Sequence, residues 1–327
     1  MVPRQRVWAG VAGIAIVALV AIGAIDVQAK QKAVTSSGAL ATSPTTGVNP
    51  TLAGTRSSQV GSNGAAMLAP VPASVRDVRQ LATALDVVIA SSGASVGVTL
   101  VELDGVDPLD WSLNGGEVFT AASTYKLAAL MLEAENIATG KTDPSGMVCF
   151  QTDDYESGWF DDYQEGACFS RNELAVRAGI YSDNTAGHML VRDVGGAAVI
   201  DAWAASVGAT SSQFFVGNTT TSSDLAALWE AEAQGDMGGA AAQAWLYPML
   251  TGTRAESGVP AGVGGATVVH KTGTIDLVEN DAALVTSGPD GAYVLVVMTD
   301  GLGGTGGWQV IAAISATVWQ FEAARSQ

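Results

Sequence analysis

Ala266-Thr267-Val268-Val269-His270-Lys271-Thr272-Gly273-Thr274 is the stretch on which the fold turns. Its run from Thr267 to Thr274 is rich in β-branched residues and reads as a strand ending in a turn signal. Two more strands follow, Ala282 to Thr286 and Ala292 to Thr299, joined by the turn sequence Gly288-Pro289-Asp290-Gly291 as a hairpin. Trp308 to Ala323 reads as a closing helix. Upstream, Val96 to Leu103 reads as a strand, preceded by a helix over Asp77 to Ala90 that carries Val78, Leu81, Leu85 and Val88 on one face. Between these blocks lies a long helical middle, with Thr120 to Ala134, Arg171 to Ala178 and Asn184 to Val194 as its clearest helices. Helices and strands are thus segregated along the chain. This implies an α+β fold, an antiparallel sheet flanked by helices, with a helical subdomain. Gly303-Gly304-Thr305-Gly306-Gly307 lacks dinucleotide-loop spacing and reads as a loop.

Composition narrows the function classes. Of 327 residues, 48% are hydrophobic and 14% charged, with 15 basic against 32 acidic side chains and a net charge of −17. A nucleic-acid partner is excluded, because such a protein needs a basic face. Two cysteines and two histidines, Cys149, Cys168, His188 and His270, lie too far apart in sequence to suggest a zinc site. No metal and no cofactor is expected.

The N-terminal region differs from the rest. Arg4 and Arg6 precede an uncharged run from Trp8 to Ile25, about 27 Å long as a helix. Residues 1–29 read either as a secretory signal cleaved after Val27-Gln28-Ala29 or as a retained anchor, with membrane attachment through residues 8–25. Both readings place the remainder outside the cytoplasm, in the cell envelope or beyond. Residues 30–73, rich in Ser, Thr, Gly, Ala and Pro and free of acids, read as a flexible tether. Residues 74–327 are long enough for one large domain, expected as a monomer.

Three short motifs in this domain carry chemistry. Ser123-Thr124-Tyr125-Lys126 sets a serine and a lysine one helical turn apart, so the amine can take the hydroxyl proton that otherwise keeps serine a poor nucleophile. Ser182-Asp183-Asn184 leads into a helix and would serve equally as an N-cap. Lys271-Thr272-Gly273 closes the opening strand and would serve equally as a simple strand end. Each has a structural reading when taken singly. All three in this order should arise by chance on the order of once in a thousand such chains. Moreover, two of the domain's three lysines (Lys126, Lys141 and Lys271) fall inside them.

The set resembles the penicillin-recognising serine enzymes, and most closely the class A β-lactamases. The resemblance spans about residues 80–325. It includes Phe119-Thr120-Ala121-Ala122 before the serine, Thr185-Ala186 and Val194-Gly195-Gly196 after the middle motif, and Thr219-Thr220-Thr221 with Leu225. It implies that Ser123 attacks a β-lactam or a cell-wall peptide ending in D-alanyl-D-alanine and forms an acyl-enzyme. Lys126 would be the base, its pKa depressed by the nearby Lys271 charge, and Ser182 would relay a proton to the departing nitrogen. Asn184 would bind the substrate amide, and Lys271, Thr272, Gly273 and Thr274 would line the substrate site. The backbone N–H groups of Ser123 and Thr274 would form the oxyanion hole.

Two features depart from the family pattern. Class A enzymes carry an omega-loop glutamate that activates the deacylating water, but Ala204 to Ser223 contains no acid. The segment looks trimmed, with Ser211-Ser212-Gln213-Phe214-Phe215 in its place, and Gln213 can orient a water without removing its proton. The family's carboxylate-gripping arginine is also missing from Asp276 to Asp281, and Arg254 reads as a surface residue rather than its substitute. Slow deacylation is therefore expected. A D-alanyl-D-alanine peptidase and a non-turnover penicillin-binding or sensing module remain as alternatives to a β-lactamase.

Cys149 and Cys168 bracket 18 residues that include Asp153, Asp154, Glu156, Asp161, Asp162 and Glu165. In an exported protein an even pair reads as a disulfide, here pinning a solvated acidic loop over the site, with a specificity rim for a cationic or peptide substrate as the alternative. Should a base for deacylation exist outside the trimmed segment, Asp161, Asp162 and Glu165 are the candidates.

Overall fold

The structure is a computed structural model, and it describes residues 77–105 and 107–326. The apolar N-terminal run, both readings of residues 1–29 and the tether lie outside the described residues.

In chain order the elements are α1 (Val78–Ser92), β1 (Ser95–Glu102), β2 (Asp110–Leu113), β3 (Phe119–Thr120), α2 (Tyr125–Ala138), β4 (Met147–Cys149), β5 (Cys168–Ser170), α3 (Arg171–Gly179) and α4 (Asn184–Asp193). Then follow α5 (Ala197–Ser206), β6 (Thr219–Thr220), α6 (Ser222–Gln234), α7 (Gly239–Leu246), α8 (Val259–Gly262), β7 (Val268–Ile275), β8 (Val278–Gly288), β9 (Gly291–Asp300) and α9 (Thr305–Arg325). The expected α+β fold is present. Strands β2-β1-β9-β8-β7 form one five-stranded sheet with antiparallel pairing throughout.

The sheet separates two cores, and β9 shows why its sequence is almost wholly apolar. Tyr293, Leu295 and Val297 pack on one face against Leu81 and Leu85 of α1 and Ile311, Ile314 and Phe321 of α9. Val294, Val296 and Met298 face the other way, into the core formed with the helical middle. Alternation therefore survives in direction while both faces are covered. Val310, Ile311, Ile314, Val318 and Phe321 are all fully or nearly fully buried. Each contributes about 1.5–3 kcal/mol, which keeps α9 against the sheet.

Helix ends follow local chemistry. Asp77 caps α1 by accepting from Arg79 N, and Gly93 ends it in the left-handed region at φ 73°. The expected loop at Gly303 to Gly307 is only half correct, because Thr305-Gly306-Gly307 forms the first turn of α9. A Cβ at Gly307 would lie 2.3 Å from Leu302 O and 2.5 Å from Glu279 Cγ, so tight packing, not loop freedom, explains that glycine.

Candidate active site

The three motifs reach one place by separate routes. Ser123 lies in a 3₁₀ turn (Ala122–Thr124) that runs directly into α2, so Lys126 is one turn below it. Ser182 occupies the loop before α4, where Asp183 caps the helix by accepting from Ala186 N. The N-cap reading of that motif therefore holds, through Asp183. Lys271, Thr272 and Gly273 lie on the edge strand β7 beside the 3₁₀ turn. Close approach requires glycine at two points. A Cβ at Gly273 would be 2.6 Å from Ala121 O, and one at Gly187 would be 2.7 Å from Lys126 Cε. Non-glycine residues with positive φ cluster here as well: Ala122 (48°), Ser182 (56°), Phe215 (67°) and Asn218 (48°). Such strain is characteristic of functional sites.

Lys126 Nζ lies 2.9 Å from Ser123 Oγ, 2.8 Å from Ser182 O and 2.5 Å from Asn184 Oδ1. A neutral amine has two N–H donors and one lone pair. Donation to the two acceptors leaves the lone pair for the Ser123 hydroxyl. Burial, then the Lys271 charge, lowers the Lys126 amine well below the ordinary lysine range, against the opposing pull of Asp183 and Glu156. Like-charge repulsion is thus a real cause, as the sequence suggests, but desolvation is the larger one. Lys271 is lowered by burial to about 7, with Asp281 pulling it back up. Its Nζ donates to Ser182 Oγ at 2.9 Å and to Thr272 O at 2.9 Å. Ser182 Oγ also lies 3.4 Å from Lys126 Nζ, so it bridges the two lysines and can pass a proton between the nucleophile side and the substrate side.

Two cavities open beside Ser123. One, of about 320 Å³, is lined by Ser182, Asn184, Lys271, Thr272, Thr274, Trp159, Tyr181 and Arg254. The second, of about 250 Å³, is lined by Asn184, Thr274, Glu156, His188, Phe215 and Asn218. Seven of the predicted side chains are therefore brought together, six lining the first cavity and Lys126 bonded to them from beneath, with the glycine of the third motif packed behind Ser123.

Arg254 is at the surface, as the sequence suggests, but its placement adds to that reading. It is exposed, but it lines the first cavity, with its guanidinium 5.4 Å from the centre of the Trp159 ring. Its backbone N–H donates to Ile180 O, which ties its loop to the segment before Ser182. The loop is also pinned by Thr253 Oγ1 and Glu256 Oε1, at 3.1 and 3.2 Å from His270 Nε2, while His270 Nδ1 lies 2.8 Å from Asp281 Oδ1. Burial opposes a charge on His270, but the Asp281 and Glu256 carboxylates outweigh it and raise the imidazole to about 9.

Cys149 and Cys168 face one another across the β4–β5 pair and form a disulfide. The segment they enclose is largely exposed, as expected, with Asp154 the exception among its six acids. Asp154 is buried and paired with Arg192, and Asp162 is paired with Arg177. Asp183 accepts from Trp159 N and the Tyr163 hydroxyl, fastening this segment to the start of α4. Asp161, Asp162 and Glu165 line neither cavity; among the described residues that do, the one carboxylate is Glu156. Glu156 was visible only as one acid among six.

The trimmed segment supplies Phe215 and Asn218 in place of an acid. Phe215 packs edge-on to His188, with ring centres 5.0 Å apart. Asn218 donates to Ala122 O at 3.3 Å, while its Oδ1 is buried without a protein partner. Within the trimmed segment, Asn218 rather than Gln213 is the carboxamide that the fold sets beside Ser123. Asn280 was also missed. Fully buried on β8, it donates to Thr120 O and Ala121 O and accepts from Thr299 N, fastening the nucleophile's approach to the sheet. No short motif marks it.

A family model described as the beta-lactamase enzyme family matches residues 80–321. The chain belongs to that family. Solved structures agree on the fold. PBP-A is similar at 26% identity and TM-score 0.69, covering 77% of this chain and 98% of its own. A single-substitution variant of PBP-A, solved as an acyl-enzyme complex with penicillin G, is similar at 26% identity and TM-score 0.68, covering 76% and 97%. A beta-lactamase from Sphaerobacter thermophilus, at 24% identity and TM-score 0.67, covers 75% of this chain and 97% of its own. No curated protein matches the chain. The family has serine hydrolases as its members' expected chemistry, and β-lactam binding is consistent with it. Away from the cavities, Glu102, Asp290 and Glu322 also converge. Arg325 already serves that cluster, its Nε 2.8 Å from Glu102 Oε1.

Proposed function

We propose that the protein is an exported serine hydrolase that opens β-lactams by acylation of Ser123 and releases the product slowly. The observation that carries this reading is the buried Lys126 amine, 2.9 Å from Ser123 Oγ and held in a deprotonating environment. Ser123 Oγ gives its proton to Lys126 and attacks the lactam carbonyl. The resulting oxyanion is held by the Ser123 and Thr274 backbone N–H groups. The C–N bond then breaks as the nitrogen takes a proton through Ser182. Lys271 and Thr272, with Arg254 at the mouth, receive the substrate carboxylate, and Asn184 receives its amide.

Release of the acyl group needs an activated water. Asn218 Oδ1 can orient one, but neither it nor the surrounding Ser211 to Gly217 segment can accept its proton. General-base catalysis typically contributes ~10²–10⁴-fold, and the trimmed segment supplies none of it; the carboxylate that lines this cavity, Glu156, comes from the cysteine-bounded segment. The same feature supports a second reading, a D-alanyl-D-alanine peptidase or penicillin-binding protein of cell-wall metabolism, in which acylation is the step that matters. In either case residues 1–29 serve for export or anchoring, and 30–73 tether the 74–327 domain outside the membrane.

Rapid mixing with benzylpenicillin, followed by intact-mass spectrometry, tests the reading. A burst of about one equivalent, a mass increase equal to the penicillin, and a slow steady state are expected. Ser123→Ala should abolish the adduct. Labelling of that variant places the nucleophile elsewhere, and a linear trace with fast sustained hydrolysis means that an efficient base drives deacylation.

A further inference from the structure

The two cavities beside Ser123 have opposite electrical character. The first carries Lys271 and Arg254 and no carboxylate among its described lining residues; the second carries Glu156. Asn184 stands at the boundary and lines both. Its amide orientation is fixed, because Oδ1 faces Lys126 Nζ at 2.5 Å and Nδ2 donates to Glu156 Oε1 at 2.6 Å. An amide nitrogen has two hydrogens. One is held by Glu156, and the other is the donor left for a substrate acylamide carbonyl. Two acceptors bound to one –NH₂ group lie roughly 5 Å apart, given donor–acceptor distances near 2.9 Å. A group on the carbon next to that carbonyl therefore comes within reach of the Glu156 carboxylate.

Glu156 is built to meet a cation there. Its backbone is clamped at both ends of the peptide unit: its N–H reaches Thr185 Oγ1 at 3.0 Å and its C=O accepts from the same hydroxyl at 2.8 Å. The side chain is 51% exposed, and its Oε2 lies 3.5 Å from His188 Nε2. His188 Nδ1 is 3.0 Å from Asp154 O, an acceptor, so a neutral imidazole keeps its proton on Nδ1 and turns the Nε2 lone pair towards Glu156. Two acceptors, Oε2 and Nε2, then face the open cavity without a shared proton. An ammonium group, with three N–H donors, can bridge them.

We propose that Glu156 makes the site selective for zwitterionic acyl donors, with a carboxylate at the leaving-group end and an ammonium on the carbon next to the side-chain acylamide carbonyl. This rests on the reading of Ser123 as the acylated nucleophile. The acyl group transferred to Ser123 keeps its ammonium, which stays paired with Glu156 and His188, while the carboxylate end occupies the cavity of Lys271 and Arg254. Glu156 acts here in recognition and leaves the order of bond making and breaking unchanged.

The test compares second-order acylation rates of three penicillins on the full chain: aminobenzylpenicillin, benzylpenicillin and carboxybenzylpenicillin. They differ in an ammonium, a hydrogen or a carboxylate at one carbon. A half-exposed charge-assisted contact should favour the amino compound over the benzyl compound by about tenfold, with the carboxy compound slowest. The readout is the ratio within each protein, which cancels any general loss of reactivity. Glu156→Gln keeps an acceptor for Asn184 and should bring the ratios to about one. Glu156→Lys should reverse the order. Equal rates for all three in the unaltered protein, or a preference for the amino compound that survives Glu156→Gln, overturns the proposal and leaves the acylation reading standing. No adduct with any of the three overturns both.

Discussion

The two walls of the Ser123 site are built differently. On the wall formed by α2, the loop before α4 and β7, two buried lysines and three half-buried polar groups are tightly connected: Ser123, Lys126, Ser182, Asn184 and Lys271 are linked through contacts of 2.5 to 3.4 Å. On the wall formed by the trimmed segment before β6, the residues that reach the cavity are an aromatic ring and a carboxamide, Phe215 and Asn218. The first wall can generate and hold a charged intermediate. The second can shape a cavity but has nothing to take a proton. Under the proposed function, making the acyl-enzyme and discharging it become separable tasks with separate structural supports.

The comparison can be broken most severely at Lys126. Lys126→Met removes the base and should lower the rate of penicillin acylation by about 10³-fold, the middle of the range for general-base catalysis. A rate within tenfold of the unaltered protein, measured by stopped-flow fluorescence, would move the base to another group. The disulfide tests whether the segment carrying Glu156 is held independently of the reactive wall. Replacing both Cys149 and Cys168 by Ser should cost about 3 kcal/mol in denaturant unfolding, as expected for a loop of this length. Acylation of the folded fraction should persist, because none of the Lys126 contacts runs through the sulfurs.

His270 tests the wall that carries Arg254. Its folded pKa of about 9 lies above the ordinary 6.5, so its contribution is complete below pH 6.5 and is lost as pH rises through 9. A shift of that size corresponds to on the order of 3 kcal/mol. Urea unfolding at pH 6 and pH 10 should show that fall, and His270→Gln should flatten it. Unchanged pH dependence in the variant would refute the assignment. The smallest effect is expected on the other wall. Phe215→Glu puts a carboxylate into the cavity beside Ser123 and should raise the steady-state rate about tenfold with the burst amplitude retained, below the full range for a well-placed base. A variant with neither change would show that the missing proton acceptor does not limit release.

The reactive wall was legible because its chemistry lies in short motifs with fixed spacing. Ser123 and Lys126 meet whenever that stretch is helical, and Ser182-Asp183-Asn184 and Lys271-Thr272-Gly273 each keep their groups within three residues. The other contributors have no such signature. Arg254, Glu156, Asn218 and Asn280 are single residues of ordinary type, and Arg254 looked like any exposed cation until the Thr253, Glu256 and His270 contacts set its loop beside Lys271. Likewise, Asp161, Asp162 and Glu165 were as plausible in sequence as Glu156. Of these four only Glu156 lines a cavity beside Ser123, its backbone held by two contacts to Thr185.

The sequence by itself determined the α+β order of elements, the apolar strands and helices that make the two cores, and the pairing of Ser123 with Lys126. Those depend on local periodicity and on spacings of a few residues, which the chain carries wherever it goes. Tertiary structure alone decided the depth at which Lys126 is buried, the 89-residue jump that brings Lys271 to Ser182, and the opposite charges of the two cavities. A pKa and a pocket's field depend on what surrounds a group in space, and burial, distance and facing charges come into being only when remote segments pack together.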